Sequence, residues 1–265
     1  MTWPLAPTIS TSENAISPGR ARRRALLDFT SRAGKGEALA SIPAIARAVA
    51  ELAGSAVAGT VLDPFCGTGS FLWAVMDRAL QLQALVEFVG VELNERLAGL
   101  ARAIGQTAPM VTTIENGDAF LTNLPMADLV LAAPPVGVRL PEPHVLLNGS
   151  TTAHITVAAV DLALRRLRPG GRAVLHVGAG FTFQRAAERY REYLASEHRV
   201  AALIGLPGGA IPGTSVRSIL IVIDRAEPGE TFVAQLGEDW ETQLAPGGAA
   251  MTAAMAHIDG DSNGR

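Results

Sequence analysis

The residues best suited to chemistry stand in the stretch TVLDPFCGTGSFL, from Thr60 to Leu72. An apolar run ends in an acid, Asp63, followed by Pro64 and Phe65; Gly67 and Gly69 then flank Thr68 ahead of a helix-forming segment. That order reads as strand, glycine turn, helix. Glycine adopts φ > 0 readily and carries no Cβ, so such a turn bends sharply and lets its backbone approach a ligand, as a nucleotide-cofactor loop must. Asp63, at the carboxyl end of the strand, is expected to face the same crevice. No Lys follows the second glycine, which removes the ammonium a P-loop needs and argues against phosphate chemistry. Leu72 stands where a dinucleotide fingerprint has its third glycine, which weakens an NAD reading. The plainer alternative is an ordinary βα turn of an α/β fold.

The surrounding elements must bring further groups to that turn. The stretch ALASIPAIARAVAELA (Ala38 to Ala53) has Ile42, Ile45, Val49 and Leu52 at helical spacing, opened by Ser41 and Pro43. Ser70 to Leu82 reads as a helix and VEFVGVEL (Val86 to Leu93) as a second strand. Glu92 lies at its carboxyl end, where in a doubly wound sheet an acid accepts hydrogen bonds from both hydroxyls of a ribose. The alternative for Glu92 is a neighbour of a helix N-cap, since Asn94 begins NERLAGLARAI. A third strand near Met110 to Ile114 leads to ENGDAF, in which NGD is a common turn composition and Asp118 reads as a turn residue. The fourth strand, Ala127 to Ala132, runs into Ala133, Pro134, Pro135 and Val136. Strands one and four are neighbours across the reversal of strand order, so both carboxyl ends face one crevice. The chain continues as a loop from Gly137 to Ser150, a helix from Thr152 to Leu167, a turn and fifth strand in RPGGRAVLHVG, and a helix from Phe183 to Leu194. VAALIGLP and SVRSILIVIDR then read as two apolar strands.

At 265 residues and 48% hydrophobic, the chain is long enough to bury one large core. A single cysteine, Cys66, excludes an intramolecular disulfide and a Cys-based zinc site, and the five scattered histidines form no HxxxH pair, so no metal is expected. The first residues lack a basic segment followed by an apolar core, and no apolar run approaches the roughly 18 residues of a membrane helix. A soluble protein of the reducing cytoplasm is the expectation, with no membrane partner. The net charge of −3 does not suggest a strong nucleic-acid binder. Arg20, Arg22, Arg23, Arg24, Arg32 and Lys35 form a local basic patch, suited to a DNA backbone or an acidic partner, or else a solvated helix face.

The loop DPFCGTGSF, with Glu92, Asp118 and the order of the motifs, resembles the N6-adenine DNA methyltransferases. The succession LP, a glycine loop and a strand ending in Asp224 and Arg225 is similar to the modification subunits of type I restriction-modification systems. The likeness covers roughly residues 33–225. It implies an α/β fold with a doubly wound, mostly parallel seven-stranded sheet, and S-adenosylmethionine as cofactor. Asp63, Pro64, Phe65, Gly67, Thr68, Gly69 and Glu92 are then cofactor-binding residues. Asp118 takes the role of the family's acid that binds the adenine amino group, with Ala119 and Phe120 beside the ring. DNA is the implied partner, directly or through a specificity subunit. Residues 1–32 are expected to be a flexible basic segment and 226–265 an extension without a target-recognition domain.

The family departs from this chain at two places. Its segment before the first helix, Gly-Gln-Phe-aromatic-Thr-Pro, corresponds here to Gly36, Glu37, Ala38, Leu39, Ala40 and Ser41, without aromatics or threonine. Its catalytic Asn-Pro-Pro-aromatic corresponds to Ala133, Pro134, Pro135 and Val136. The exocyclic nitrogen of adenine has its lone pair delocalised into the ring and attacks a methyl group only when acceptors pull on its hydrogens. The asparagine carbonyl and a proline carbonyl supply that pull, and the aromatic stacks on the flipped base. Ala133 has no acceptor and Val136 no ring. Losing a hydrogen bond to a group developing charge costs roughly 1.5 to 3 kcal/mol, about ten- to a hundredfold in rate. Losing the stack removes about 1 to 3 kcal/mol more. A binding or assembly protein with weakened or lost methyl transfer is therefore the favoured expectation; the alternatives are an active adenine methyltransferase or a methyltransferase for another substrate. Glu142 and Asn148 are the nearby side chains that offer replacement acceptors.

Overall fold

The computed structural model describes residues 41–260 together with Gly19, Ala21, Arg23 and Ala25. The run PAIARAVAELA folds as helix α1 (Pro43–Ala53), with proline at the helix start, where a missing N–H costs nothing. After it come strand β1 (Gly59–Asp63), helix α2 (Ser70–Leu82), β2 (Val86–Glu92), α3 (Glu95–Gly105), β3 (Thr112–Asn116) and β4 (Ala127–Ala132). A hairpin of β5 (Arg139–Val145) and β6 (Thr151–His154) precedes α4 (Ile155–Arg166), β7 (Leu167–Gly178) and α5 (Glu188–Glu197). The chain then forms β8 (Arg199–Leu206), β9 (Ser218–Asp224), β10 (Phe232–Gln235), α6 (Trp240–Gln243) and α7 (Ala249–Gly260).

One sheet has the order β10-β8-β9-β7-β4-β1-β2-β3. Its pairings are parallel except those of β9, which runs antiparallel to both β7 and β8. The sheet is thus doubly wound and mostly parallel, with eight strands where seven are expected. The additional strand, β10, pairs in parallel with β8, Phe232 opposite Ala202. Its four residues, FVAQ, are too few for an alternating pattern to stand out.

Other departures are local. The loop expected after Val136 contains β5, whose Pro141 and Pro143 read as loop residues but are tolerated in a strand paired on one side. Thr152, expected to open a helix, lies instead in β6. The helix expected from Phe183 starts at Glu188, after two short 3-10 turns. Within the basic patch, Arg23 is buried and donates to the Thr107 carbonyl at 3.1 Å and to Asp77 at 3.2 Å, so it is a packing element. Arg20, Arg22, Arg24, Arg32, Lys35 and the segment Gly36 to Ala40 lie outside the described residues.

Period-two alternation divides the strands between two apolar layers. Val61, Leu129, Leu131, Val174, Leu220 and Val222 join the layer covered by α1, α2 and α7. Leu62, Val130, Ala132, Leu175, Ile219 and Ile221 join the layer covered by α4 and α5. With both faces covered, the strands are nearly continuous apolar runs, as a parallel sheet requires.

A buried ionic network fastens α7 to the sheet. The Arg172 guanidinium on β7 donates to Asp224 through Nε (2.7 Å) and Nη2 (3.2 Å), and to Asp259 of α7 at 2.9 Å. Arg199 donates to the same Asp224 at 3.1 Å and to the carbonyls of His257 and Ile258, both at 2.9 Å. Burial opposes the charge on Arg172, and the two carboxylates outweigh it, so its pKa is raised further. Removing one partner from such a network leaves an uncompensated buried charge, at a cost of about 3–5 kcal/mol. Arg172→Leu should lower Tm by about 10 °C for a chain of this size, read by thermal circular dichroism. A shift within about 1 °C would show that the network contributes nothing to stability.

Candidate functional site

The carboxyl ends of β1 and β4 lie side by side, with Leu62 in register with Val130, at the point where the strand order reverses. The glycine turn leaves β1 there. Gly67 (φ 54°) and Gly69 (φ 86°) both take left-handed conformations, and a Cβ on Gly69 would overlap the Trp73 indole. That indole donates from Nε1 to the Thr68 carbonyl at 2.7 Å, and the Trp73 amide bonds the Gly69 carbonyl at 2.9 Å. The turn is thus closed against the first turn of α2. The Cys66 amide donates to the Val91 carbonyl at 3.0 Å, which ties the turn to β2.

Glu92 completes this closure. Its Oε2 accepts the Gly67 amide at 2.9 Å and its Oε1 the Asn94 amide at 2.7 Å. A carboxylate accepts about four hydrogen bonds, so these two leave acceptor capacity on a residue that is partly exposed. Asn94 is the N-cap of α3, accepting the Arg96 and Leu97 amides at 3.0 and 3.2 Å. The N-cap reading of this region is realised in Asn94, with Glu92 bonding the cap's own amide. Asn116, passed over in the sequence, donates from Nδ2 to the carbonyls of Glu92 and Leu93 at 2.9 and 3.0 Å and fastens the end of β3 to β2. Its signal in the sequence is only its place as the first residue of NGD.

Asp118 follows β3 and accepts the Phe120 amide at 2.9 Å on Oδ1, so its turn role is realised while it stays partly exposed. Ala119 is buried beneath it. The Phe120 ring meets Phe65 of the glycine turn edge-on, with centroids 5.9 Å apart. Pro64, Thr68 and Asp63 are buried. Asp63 is only 2% exposed and accepts the Phe65 amide at 3.1 Å, so it braces the turn from below. Burial, with Glu92 adding, pushes its carboxyl up to about 8, against an ordinary value near 4. The same burial raises the Cys66 thiol, which is kept unreactive.

At the end of β4, Ala133 is partly buried against the α1–α2 layer, Pro134 is buried, and Pro135 and Val136 are exposed. A Cβ added to Gly178, at the end of β7, would lie 3.4 Å from Val136 Cγ1, so valine rests on bare backbone there. Asn148 is committed elsewhere: its Oδ1 accepts the Ser150 amide and hydroxyl, and its Nδ2 donates to the Arg189 carbonyl. Glu142 is exposed on β5. A cavity of about 440 Å³ opens between α1 and α2; Ser70 and Trp73 border it, whereas Asp63, Glu92 and Asp118 do not.

A family model for N-6 DNA methylase matches residues 25–243. No match was found among curated protein sequences. A class I S-adenosylmethionine-dependent methyltransferase from Listeria monocytogenes shares the fold with a TM-score of 0.71 and 19% identity, over 90% of this chain and 77% of that one. The type I restriction-modification methyltransferase subunit of Streptococcus thermophilus gives 0.74 and 18%, over 89% and 57%. A type I modification subunit from Vibrio vulnificus YJ016 gives 0.66 and 22%, over 83% and 52%. The chain thus spans little more than half the length of these two subunits. Among the described residues, no helix is long and apolar enough to cross a membrane.

The buried carboxyl of Asp63 sets a pH dependence. The unfolded chain loses this proton near pH 4 and the native state near pH 8, so between them the native state holds one proton more and stability falls as pH rises, by at most about 1.4 kcal/mol per unit. Asp63→Asn removes the titrating proton while keeping a carbonyl acceptor for the Phe65 amide. Its unfolding free energy in urea, minus that of the parent, should grow from pH 5 to pH 8 and level off above. A difference that does not vary with pH would place the ordinary carboxyl pKa back on Asp63.

Proposed function

Because the chain belongs to the N-6 DNA methylase family, we propose that it is an S-adenosylmethionine-binding core of the type I modification-subunit kind, whose transfer of methyl to adenine is weakened or lost. It works by binding and assembly, with DNA or with a protein partner such as a specificity subunit. The observation that carries this reading is the contrast between the two halves of one crevice. The cofactor half keeps its acceptors in place, with the partly exposed Glu92 carboxylate holding a left-handed glycine turn. The acceptor half presents the methyl of Ala133 and the isopropyl of Val136.

S-adenosylmethionine supplies, when bound, a methyl group on a sulfonium sulfur. The residues present suit such a ligand. Glu92 accepts from the ribose hydroxyls, Asp118 from the adenine amino group, and Phe65, Ala119 and Phe120 provide apolar surface for the base. Gly67 and Gly69 keep the backbone free of side chains at the turn, with Asp63, Pro64 and Thr68 setting its shape. On the acceptor side, the Pro134 carbonyl retains one of the two pulls that an exocyclic amine needs. That remaining acceptor favours residual transfer as the second reading: an active methyltransferase on DNA adenine with a specificity partner, or on a non-DNA substrate whose nucleophile needs no flipped base.

Calorimetric titration with S-adenosylmethionine tests the cofactor half. Saturable binding is expected, weakened about ten- to a hundredfold by Glu92→Ala, the loss of hydrogen bonds to a charged acceptor. Equal affinity in the two proteins would remove Glu92 from the site. For the acceptor half, the double variant Ala133→Asn, Val136→Tyr should raise transfer of labelled methyl to adenine-containing DNA at least about tenfold over the parent. A parent already as active as the double variant would sink the pseudoenzyme reading and leave an enzyme.

A further inference from the structure

Away from the glycine turn, a cluster of polar side chains surrounds Asp161 of α4, which has no exposed surface. Its Oδ1 accepts the Leu147 amide at 2.6 Å and the Tyr190 hydroxyl at 2.9 Å. Its Oδ2 accepts Arg165 Nε at 2.6 Å and lies 2.9 Å from His144 Nε2. Four donors fill the acceptor capacity of one carboxylate. Leu147 belongs to the β5–β6 hairpin and His144 to β5, while Tyr190 comes from α5, so one buried group clamps the hairpin to two helices. Burial and Asp161 together raise the Tyr190 phenol, which stays a donor. Arg165 adds a bond to the Val145 carbonyl at 2.8 Å.

The other side of His144 points the cluster toward the cofactor crevice. Its imidazole lies 5.3 Å from the Phe120 ring, tilted by 59°, and Phe120 in turn meets Phe65. Phe65 belongs to the glycine turn, and Phe120 follows Asp118 by two residues. A continuous path of packed rings therefore runs from the turn, through the aromatic beside Asp118, to a hairpin that begins three residues after Val136.

We infer that His144 is a positioning residue for cofactor binding: held by Asp161, its imidazole seats Phe120 against Phe65 and thereby couples the acceptor-side hairpin to the wall of the cofactor site. This rests on the cofactor reading proposed above. Asp161 fixes the hydrogen-bonding edge of the ring, so the ring has one orientation to offer Phe120. The coupling is reciprocal, as linkage requires: a ligand that settles the hairpin raises affinity for the cofactor, and the cofactor steadies the hairpin.

The test separates ring from donor. His144→Phe keeps a ring against Phe120 and loses the bond to Asp161; His144→Gln keeps a donor and loses the ring; His144→Ala loses both. Calorimetry with S-adenosylmethionine and thermal melts are run on each full-length protein. Affinity should follow the ring, with His144→Gln and His144→Ala weaker by about two- to tenfold and His144→Phe nearer the parent, the range of one aromatic contact. Tm should follow the donor, with His144→Gln closest to the parent, because a buried carboxylate left short of a donor destabilises the fold. Affinity that tracks Tm across the series overturns the inference by reducing His144 to a structural role. Phe120→Leu, which leaves the Asp161 cluster untouched, should lower affinity by a similar factor, and adding His144→Ala to it should cause little further loss. Additive losses overturn the coupling. Unchanged affinity in His144→Ala overturns the inference alone, whereas a parent that binds no cofactor overturns the cofactor reading and the inference with it.

Discussion

The Glu92 carboxylate bridging the Gly67 and Asn94 amides is the interaction on which the geometry of the crevice depends. A glycine turn is conformationally loose by nature, since Gly67 and Gly69 lose more freedom on folding than other residues. Here three restraints hold it: Glu92 from the end of β2, the Trp73 indole from α2, and the Val91 carbonyl at the turn's base. Each comes from an element whose own position is set by a buried, two-sided sheet. The result is a turn with left-handed backbone at two positions, held in one shape by the elements around it.

Buried charge serves a different purpose at each end of the molecule. Arg172, Arg199, Asp224 and Asp259 bind the last helix to the far side of the sheet, where hydrophobic contact alone would leave its direction loosely specified. Asp161 does the equivalent for the hairpin, gathering donors from three elements. In both places the desolvated carboxylates are satisfied by several donors, the condition under which burial of charge is tolerable. Asp63 is the exception. It is buried with a single backbone donor and near a second carboxylate, and it responds by holding its proton.

The crevice is thus asymmetric. One wall has acceptors, aromatic edges and backbone arranged around Glu92 and Asp118. The other, at the end of β4, has proline geometry with small apolar side chains at Ala133 and Val136. Membership of a methylase family accounts for the architecture, and the chemistry rests on those particular side chains. Asn148, a polar side chain near that wall in sequence, is engaged in the hairpin turn.

Much of this was legible in the residues. The apolar runs, the glycine turn and the helix patterns identify β1, α2, β2 and β4 closely, because each is decided by local periodicity and by backbone freedom at glycine. The place of Glu92 at the end of its strand follows from the same pattern, whereas Asp118 is singled out by the family resemblance. The hairpin was not legible: Pro141 and Pro143 argue against a strand, and β5 exists because β6 pairs with it and Asp161, 17 residues beyond His144, anchors it. Nor was the eighth strand, whose four residues become a strand only by lying beside β8. Tertiary structure also decided the state of Asp63, since its proton depends on burial that no local pattern records. What the sequence determined were features set within a few residues of chain; what it left to the fold were contacts between distant residues and the desolvation they bring.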